Sequence, residues 1–412
     1  MVYYLVGIKG AAMSSLAKLL KCDGHTVIGV DVIESFYTDE GLDNIESFGN
    51  VNLKASYYYI FGNAYINHNI TNYIMKMGYY YKMYPSFIKE YYKLKKWICI
   101  SGSHGKTTTT KLISHVLEDN VSLIGDGTYK YGSGKYFIIE SCEYRNTFLN
   151  YSPYISLVLN VDYDHPDFFK CEDDYKNSFI EFINKSEISV VNGDDLNLDL
   201  DKVLNYGLNN DNDVIFEYND GVVYILNKPF YLPYKGIHFA YDFVGAYLVF
   251  KLLNIKDIDI QNKLNTFTLP KRRMEIRNVG DQVIILDYAH HPTEIKVVYD
   301  VLKNEYKNKR IIAVFEPHTI SRLNTFLDDF KDVLSLFDDC FICDLFSSAR
   351  ENNVYSIEKR LYDYLGFKMF NKNEIVDLEN VVIVFLGAGS IDKLCMTYID
   401  GKNVSKIDKS TC

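Results

Sequence analysis

Residues 101–110 read Ser101-Gly102-Ser103-His104-Gly105-Lys106-Thr107-Thr108-Thr109-Thr110, between an apolar strand-like segment (97–100) and a helix-like segment whose apolar residues share one face (112–117). A glycine-containing turn at such a junction directs backbone N–H groups at an anion, and the helix dipole favours negative charge there. We therefore expect residues 102–108 to bind the phosphates of a nucleotide, with Lys106 at the β/γ-phosphates and the Thr107 hydroxyl on Mg²⁺. The spacing departs from G-x-x-x-x-G-K-[ST], and a glycine turn with an exposed lysine is the alternative interpretation.

Polar residues follow two further strand-like segments, where ligands of α/β proteins bind. Glu140-Ser141-Cys142-Glu143 comes directly after one segment (136–139), and Asn160-Val161-Asp162-Tyr163-Asp164-His165 after the other (155–159). Carboxylates and an imidazole near a phosphate-binding turn are plausible ligands of Mg²⁺, which would offset the charge of two reacting anions. Surface carboxylates and a hydrogen-bonded histidine are the alternative for each group alone.

Three segments of the chain each begin with a strand-like pattern. The first continues through a helix into a second strand that ends at Asp31, which is typical of a βαβ unit and a parallel sheet. In the last segment apolar strands alternate with helical patterns, as in a doubly wound domain. The sequence thus predicts an α/β protein with three domains: a Rossmann-like domain (1–92), a central P-loop ATPase-like domain (93–269) and a C-terminal Rossmann-like α/β domain (270–412). A polar stretch at residues 88–96 marks the first boundary.

The first strand leads into Gly7-Ile8-Lys9-Gly10-Ala11-Ala12-Met13-Ser14. Glycines at such a turn allow a ligand to approach the backbone, and a dinucleotide is one candidate. However, Lys9 and Ala12 occupy the other glycine positions of G-x-G-x-x-G, so the motif by itself decides little.

Composition excludes several classes of protein. The chain has 412 residues, of which 48% are apolar and 24% charged, and its net charge of -10 argues against general affinity for nucleic acid or anionic membranes. We find neither a signal peptide nor the ~20 uninterrupted apolar residues of a membrane span. The eight scattered cysteines favour a cytoplasmic location, and Cys340-Phe341-Ile342-Cys343 is more simply a piece of strand than a redox or metal motif.

Taken in order, these motifs and several later ones resemble those of the Mur ligase family over nearly the whole chain. The later ones are Arg272-Arg273, Asp287-Tyr288-Ala289-His290-His291-Pro292-Thr293-Glu294, Pro317-His318 with Ser321-Arg322, and Gly387-Ala388-Gly389. The resemblance implies an ATP- and Mg²⁺-dependent ligase of peptidoglycan precursor synthesis that forms an amide through an acyl phosphate. The run at 287–294 is most similar to family members that join L-alanine to UDP-N-acetylmuramic acid.

The resemblance also implies roles for individual residues. The first domain would bind the UDP-sugar through Gly7, Gly10 and Ser14. Thr107 would hold one Mg²⁺, Glu140 and His165 a second, and Asn160 would support the phosphate site. Arg273 and Asp287 would contact the ATP phosphates and ribose. His291, His318 and Arg322 would face the muramoyl carboxylate and the incoming alanine, with His291 or His318 as the base.

Some residues depart from the family pattern. Phe239 and Asp242 stand where asparagines are common, Met274 where Phe is common, Leu286 where an acidic residue is common, Glu316 where Gln is usual and Ser390 where Asp is usual. These departures concern adenine contacts and the third domain. Two rivals fit the same motifs: a related ligase that attaches a peptide or another amino acid to the same UDP-sugar, and a non-catalytic relative that binds UDP-sugars. An oxidoreductase would leave the phosphate-binding turn unexplained.

Overall fold

The structure is a computed structural model that describes residues 1–195, 203–346 and 355–409. It forms two compact units, one of residues 1–164 with 168–270 and the other of residues 165–167 with 271–412. Within the described ranges the strands form three sheets. No helix in these ranges has both the length and the apolar character of a membrane span.

The first sheet and its helices occupy the N-terminal part of the first unit. Its elements are β1 (Val2–Val6), α1 (Ala11–Cys22), β2 (Thr26–Val30), β3 (Ile45–Glu46), β4 (Tyr58–Phe61), α2 (Asn69–Lys76), β5 (Tyr81–Met83) and α3 (Tyr84–Tyr91). The strands are all parallel in the order β3-β2-β1-β4-β5. Parallel strands need both faces covered, which agrees with the nearly continuous burial of β1.

The second sheet carries the phosphate-binding turn. Its elements are β6 (Lys96–Ser101), α4 (Lys106–Val116), β7 (Val121–Leu123), β8 (Tyr129–Lys130), β9 (Tyr136–Glu140), β10 (Ile155–Val158), α5 (Glu172–Asn184), β11 (Ile188–Asn192), β12 (Leu204–Gly207), β13 (Val214–Asn219), β14 (Val222–Ile225), β15 (Lys228–Tyr231), α6 (Ile237–Leu252) and α7 (Asp257–Leu264). The order is β15-β14-β13-β12-β11-β10-β6-β9-β7-β8. Strands β9, β6, β10 and β11 are parallel, so their carboxyl ends lie along one edge.

The second unit contains the third sheet. Its elements are β16 (Glu275–Val279), β17 (Gln282–Asp287), α8 (Pro292–Glu305), β18 (Arg310–Phe315), α9 (Ile320–Thr325), α10 (Leu327–Leu334), β19 (Asp339–Ile342), α11 (Tyr355–Leu365), β20 (Lys368–Met369), β21 (Val381–Leu386) and α12 (Ile391–Lys409). The order is β16-β17-β21-β18-β19-β20, and only β16 pairs antiparallel. The two cysteines of the C-x-x-C pair lie on and just after β19, and burial raises the pKa of both thiols, as expected for packing residues.

The α/β class with three mostly parallel sheet domains is thereby confirmed, and the apolar runs at 26–30, 310–315 and 381–386 coincide with strands. The antiparallel strands at the sheet edges were not predicted. The polar stretch at 88–96 is only partly a connection, because α3 extends to Tyr91 and β6 begins at Lys96. Its aromatic residues are structural: Tyr92 stacks on Phe137 at 4.2 Å, within one hydrophobic cluster that joins the first two sheets.

Candidate active site

The phosphate loop, residues 101–106, joins β6 to α4 at the carboxyl edge of the second sheet. Gly102 and Gly105 have φ of 139° and 82°, in the region that favours glycine. A Cβ at residue 105 would also lie 2.3 Å from an oxygen of Asp242, whose carboxylate would have to shift. No side chain caps α4, and its first N–H groups point along the helix axis toward the loop, as an anion site requires.

Residues after β10 hold this loop in place. Asn160 accepts a hydrogen bond from the backbone N–H of His104 (2.8 Å) and donates one to its carbonyl (3.1 Å). The Ser103 hydroxyl donates to the carbonyl of Asp162 (2.6 Å), and the His104 imidazole lies 2.9 Å from its carboxylate. The Asn160 amide thus holds the backbone of the loop, and its support of a phosphate site stays a prediction.

Lys106 is folded over the loop. Its ammonium donates to the carbonyls of Gly102 and Ser103 and forms an ion pair of 3.1 Å with Glu143, whose side chain is 1% exposed. Burial alone lowers the pKa of Lys106, but the neighbouring acidic groups, Glu143 foremost, outweigh it and raise the net pKa above its ordinary value. The lysine is thus a fixed positive charge. The motif at 140–143 contains two glutamates, and the sequence does not show which of them contacts the lysine.

The other glutamate, Glu140, lies beside Thr107. The Thr107 hydroxyl donates to Glu140 Oε2 at 2.7 Å, at the carboxyl ends of the adjacent strands β6 and β9. A hydroxyl and a carboxylate are hard oxygen donors of the kind Mg²⁺ prefers, so this pair fits the predicted metal. The third predicted ligand, His165, is buried, has a φ of 56° and belongs to the second compact unit. Its metal role stays a prediction.

The glycine turn of the first domain is also tightly built. A Cβ on Gly7, whose φ is 86°, would lie 2.5 Å from the Tyr65 ring, whereas one on Gly10 would make only an ordinary contact. Asp31, at the end of β2, accepts hydrogen bonds from the backbone N–H of Lys9 (2.8 Å) and from the Tyr65 hydroxyl (2.6 Å). In dinucleotide-binding folds an acidic residue at this place holds a ribose. Here its oxygens hold the turn itself, which disfavours the dinucleotide interpretation.

The buried side chains of Lys9 and Ser14 form hydrogen bonds within and next to this turn. The Lys9 ammonium, 5% exposed, donates to the carbonyl of Glu34 (2.6 Å) and to the carboxylate of Asp39 (3.1 Å). The Ser14 hydroxyl is buried and donates to the carbonyl of Ala11 (2.9 Å). Lys9 therefore ties the turn to the segment after β2.

In the second unit, Asp287 and Arg273 have different surroundings. Asp287 is 3% exposed and accepts hydrogen bonds from the backbone N–H groups of Met274 and Ala289, both at 2.8 Å. Burial raises the pKa of this carboxyl group, although Arg273 and those N–H groups oppose the shift. Arg273 lies 5.1 Å over the Tyr288 ring and 3.7 Å from Glu294. The carboxylate thus organises two backbone segments, and the guanidinium is the better candidate for a ligand contact.

His318 and Arg322, predicted to act together, do lie together. An Arg322 N–H donates to His318 Nδ1 at 3.4 Å, and the ring of His290 lies 5.9 Å from that of His318. The sequence does not distinguish His290 from the adjacent His291, so the position of His290 near His318 is visible only in the structure. His291 instead caps α8: its Nδ1 accepts from Thr293 N–H at 3.4 Å. With Nδ1 accepting, neutral His291 and His318 carry the proton on Nε2.

Family profiles match three stretches of this chain. The profile of the Mur ligase family catalytic domain matches residues 2–47, that of the Mur ligase middle domain residues 128–253, and that of the Mur ligase glutamate ligase domain residues 272–369.

The chain belongs to the Mur ligase family. It is accordingly an ATP-dependent ligase of peptidoglycan synthesis.

Solved structures agree with this Mur ligase in fold. The UDP-N-acetylmuramate-alanine ligase of Thermotoga maritima superposes with a TM-score of 0.81 at 21% identity, over 98% of this chain and 100% of that chain. A murein peptide ligase of Psychrobacter arcticus gives 0.74 at 21% identity, over 97% and 98%. The MurF ligase of T. maritima, solved in complex with ADP, gives 0.59 at 13% identity, over 93% and 91%.

Two residues that depart from the expected family pattern, Glu316 and Ser390, are hydrogen-bonded to each other. Glu316 accepts hydrogen bonds from Ser390 N–H (3.1 Å), from the Ser390 hydroxyl (2.7 Å) and from Ile391 N–H (3.2 Å). Glu316 therefore links the end of β18 to the start of α12.

Phe239, in place of an asparagine, packs into the core of the second sheet domain. Its ring is stacked 6.1 Å from Phe267 and is 8% exposed. A buried ring in this position has little surface left for stacking on a nucleobase.

Proposed function

We propose that this Mur ligase joins L-alanine to the carboxylate of UDP-N-acetylmuramic acid, with ATP as the source of energy and Mg²⁺ as the metal. The observation that carries the reaction type is the phosphate loop with Lys106 on one side and the Thr107–Glu140 oxygen pair on the other. The choice of L-alanine is supported by the motif at 287–294 and by the similarity to the T. maritima alanine ligase.

The chemistry sets the task of these residues. A carboxylate oxygen of the sugar attacks the γ-phosphorus, the bond to the β–γ bridging oxygen breaks, and ADP leaves. The nitrogen of alanine then attacks the acyl carbon, the bond from that carbon to the phosphate oxygen breaks, and inorganic phosphate leaves. Two anions must meet in the first step, so the site must supply positive charge in a fixed place.

Individual residues divide this work in the proposal. Lys106 and the N–H groups of α4 hold the β- and γ-phosphates, and Arg273 adds a second cation. When bound, Mg²⁺ neutralises phosphate charge, and Thr107, Glu140 and His165 would hold it. The amine proton goes to a base, for which His291 and His318 remain the candidates. Each can accept it only after its Nδ1 gives up its present hydrogen bond.

The N-terminal domain, residues 1–92 in this proposal, takes the UDP-sugar at the Gly7–Gly10 turn near Ser14. The central domain (93–269) takes ATP, and the C-terminal domain (270–412) takes the amino acid. A UDP-sugar is anionic, and the uncapped N-terminus of α1 beside Gly10 offers N–H donors for its diphosphate.

The test measures phosphate release from ATP in the presence of UDP-N-acetylmuramic acid and one amine at a time: L-alanine, glycine, L-serine, or a tripeptide of the murein stem. We expect L-alanine to give the highest kcat/KM, with a product heavier than the sugar by one alanine residue. Preference for the tripeptide would identify a peptide-attaching ligase, the alternative supported by the similarity to the P. arcticus enzyme. Binding of the sugar without phosphate release for any amine would indicate a non-catalytic relative.

A further inference from the structure

A short turn joins β7 to β8 and lies between the two sheets of the first unit. Ile124 N–H donates to the carbonyl of Thr128 (3.1 Å), and Asp126 accepts from Thr128 N–H (3.0 Å), so the turn, residues 124–128, is internally closed.

One side of this turn is fixed to the first domain. The Ser15 hydroxyl, on α1, donates to the carbonyl of Thr128 (2.9 Å), and Lys18 donates to the carbonyl of Gly127 (3.2 Å). A Cβ on Gly127 would lie 2.7 Å from the Thr38 side chain, so the two segments are in close contact. The helix that follows the Gly7–Gly10 turn thus sets the position of residues 124–128.

The other side of the turn borders Glu140. A Cβ on Gly125 would lie 1.8 Å from Glu140 Oε2 and 2.4 Å from its Cδ, far inside contact distance. Gly125 is outside the left-handed region of backbone conformation, so its backbone would accept alanine. The reason for glycine here is therefore the space that the Glu140 carboxylate occupies while it accepts from Thr107.

We infer that Gly125 is a positioning residue for the metal site: because it lacks a side chain, it leaves space for the Glu140 carboxylate beside Thr107. Helix α1 holds the turn that contains Gly125 in place through the hydrogen bond from Ser15. The inference rests on the proposed metal role of Glu140. It also names a physical link between the domain proposed to take the UDP-sugar and the proposed metal ligand. Substitution of a residue that orients a metal ligand, but does not bind the metal, typically weakens metal affinity by about tenfold to a hundredfold.

The experiment compares Gly125→Ala, Glu140→Asp and the double variant with wild type, using Mn²⁺ as the probe and ADP as the nucleotide. Free Mn²⁺ is measured by electron paramagnetic resonance, so the readout does not need turnover. We expect Gly125→Ala to weaken Mn²⁺ binding about tenfold or more. The shorter side chain of aspartate withdraws from the added methyl group, so the double variant should bind Mn²⁺ more tightly than Gly125→Ala alone, although Glu140→Asp by itself weakens binding.

Gly49→Ala is the matched control. Gly49 is exposed, lies outside the left-handed region and has no atom within 4 Å of a built Cβ, so its substitution should change nothing. If Gly125→Ala does not fold by circular dichroism, Ser15→Ala takes its place, since it loosens the turn without adding atoms. We expect Ser15→Ala to weaken Mn²⁺ binding about threefold, which is less than the effect of Gly125→Ala, because the Glu140 carboxylate is not displaced directly.

Wild-type Mn²⁺ affinity in Gly125→Ala, a double variant no better than Gly125→Ala, or, where Gly125→Ala is unfolded, wild-type affinity in Ser15→Ala would overturn the inference. These outcomes are independent of the amine substrate. If wild type fails to ligate L-alanine but Mn²⁺ binding responds as expected, the substrate proposal fails and Gly125 keeps its role. If wild type with ADP binds no Mn²⁺, the metal assignment and the inference fail together.

Discussion

Two turns of this Mur ligase join a buried strand to a helix through glycines, but only one of them has a side chain hydrogen-bonded to the first N–H groups of the helix. In the phosphate loop no side chain caps α4. In the turn at residues 387–390, the buried carboxyl group of Glu316 accepts from the first N–H groups of α12, and Arg272 donates to the carbonyls of Gly387 and Gly389. An acidic side chain thus occupies the first N–H groups of α12, whereas no side chain caps those of α4, where we propose that phosphate binds.

Lys106→Ala should have the largest effect on activity, because it removes the positive charge from the phosphate loop. We expect ligation to fall by about a thousandfold or more, as for other groups that neutralise a transferring phosphoryl. Affinity for UDP-N-acetylmuramic acid, measured by calorimetry, should stay within about twofold, since the proposed sugar site uses other residues.

Lys89→Ala serves as the control, because this lysine is exposed on α3. An equal loss of sugar affinity and ligation in Lys106→Ala would contradict the assignment of the two substrates to separate turns.

Glu316→Ala tests the turn at residues 387–390. It leaves three donors at residues 390 and 391 without their acceptor, and we expect a loss of about 3 kcal/mol in the free energy of unfolding, measured with urea. Burial raises the pKa of Glu316 against the opposing hydrogen bonds from Ser390. Its contribution to stability is therefore complete below the ordinary carboxyl pKa and declines as pH rises through the raised value.

The stability difference between wild type and Glu316→Ala should accordingly narrow from acidic to neutral pH. Exposed Glu305 offers the comparison, since its replacement by alanine should change stability by less than about 0.5 kcal/mol. A difference that widens with pH would show that the ionised carboxylate is the stabilising form.

Asn160→Ala should have a smaller effect on the phosphate loop. The substitution removes both hydrogen bonds that fix the backbone at His104 but leaves Lys106 and the glycines. We expect ADP to bind about tenfold more weakly, the cost of about one net hydrogen bond to a positioned loop, with sugar affinity unchanged. Unaltered ADP affinity would mean that the loop keeps its shape without this amide.

The smallest effect should be on the selectivity of the enzyme for the nucleobase of its nucleotide substrate. The groups proposed to bind phosphate, Lys106 and the first N–H groups of α4, do not recognise a nucleobase. With Phe239 packed against Phe267 in place of an asparagine amide, we expect kcat/KM to favour ATP over GTP by less than about a hundredfold. A preference of many thousandfold would show that other groups recognise adenine.

The sequence by itself determined the fold class and the composition of the phosphate loop. Hydrophobic runs and glycines act locally, so the strands at 26–30 and 310–315 and the loop at 101–107 were readable without neighbours. It also indicated that Asn160, His318 and Arg322 belong to the site, through the resemblance of their motifs. It did not predict the antiparallel strands, although each pairs with a strand next to it in the sequence. Strands β13, β14 and β15 are short and partly exposed, so their apolar pattern is weaker than that of the buried parallel strands.

Only the tertiary structure decided which of two similar groups does what. Glu143 meets Lys106 while Glu140 meets Thr107, and His291 caps a helix while His318 contacts Arg322. Gly125 is a glycine because of a carboxylate fifteen positions later in the chain. These assignments depend on distances of a few ångströms between residues brought together by packing. Sequence order fixes which residues are available for a contact, but not how far apart their side chains lie once the sheets have formed.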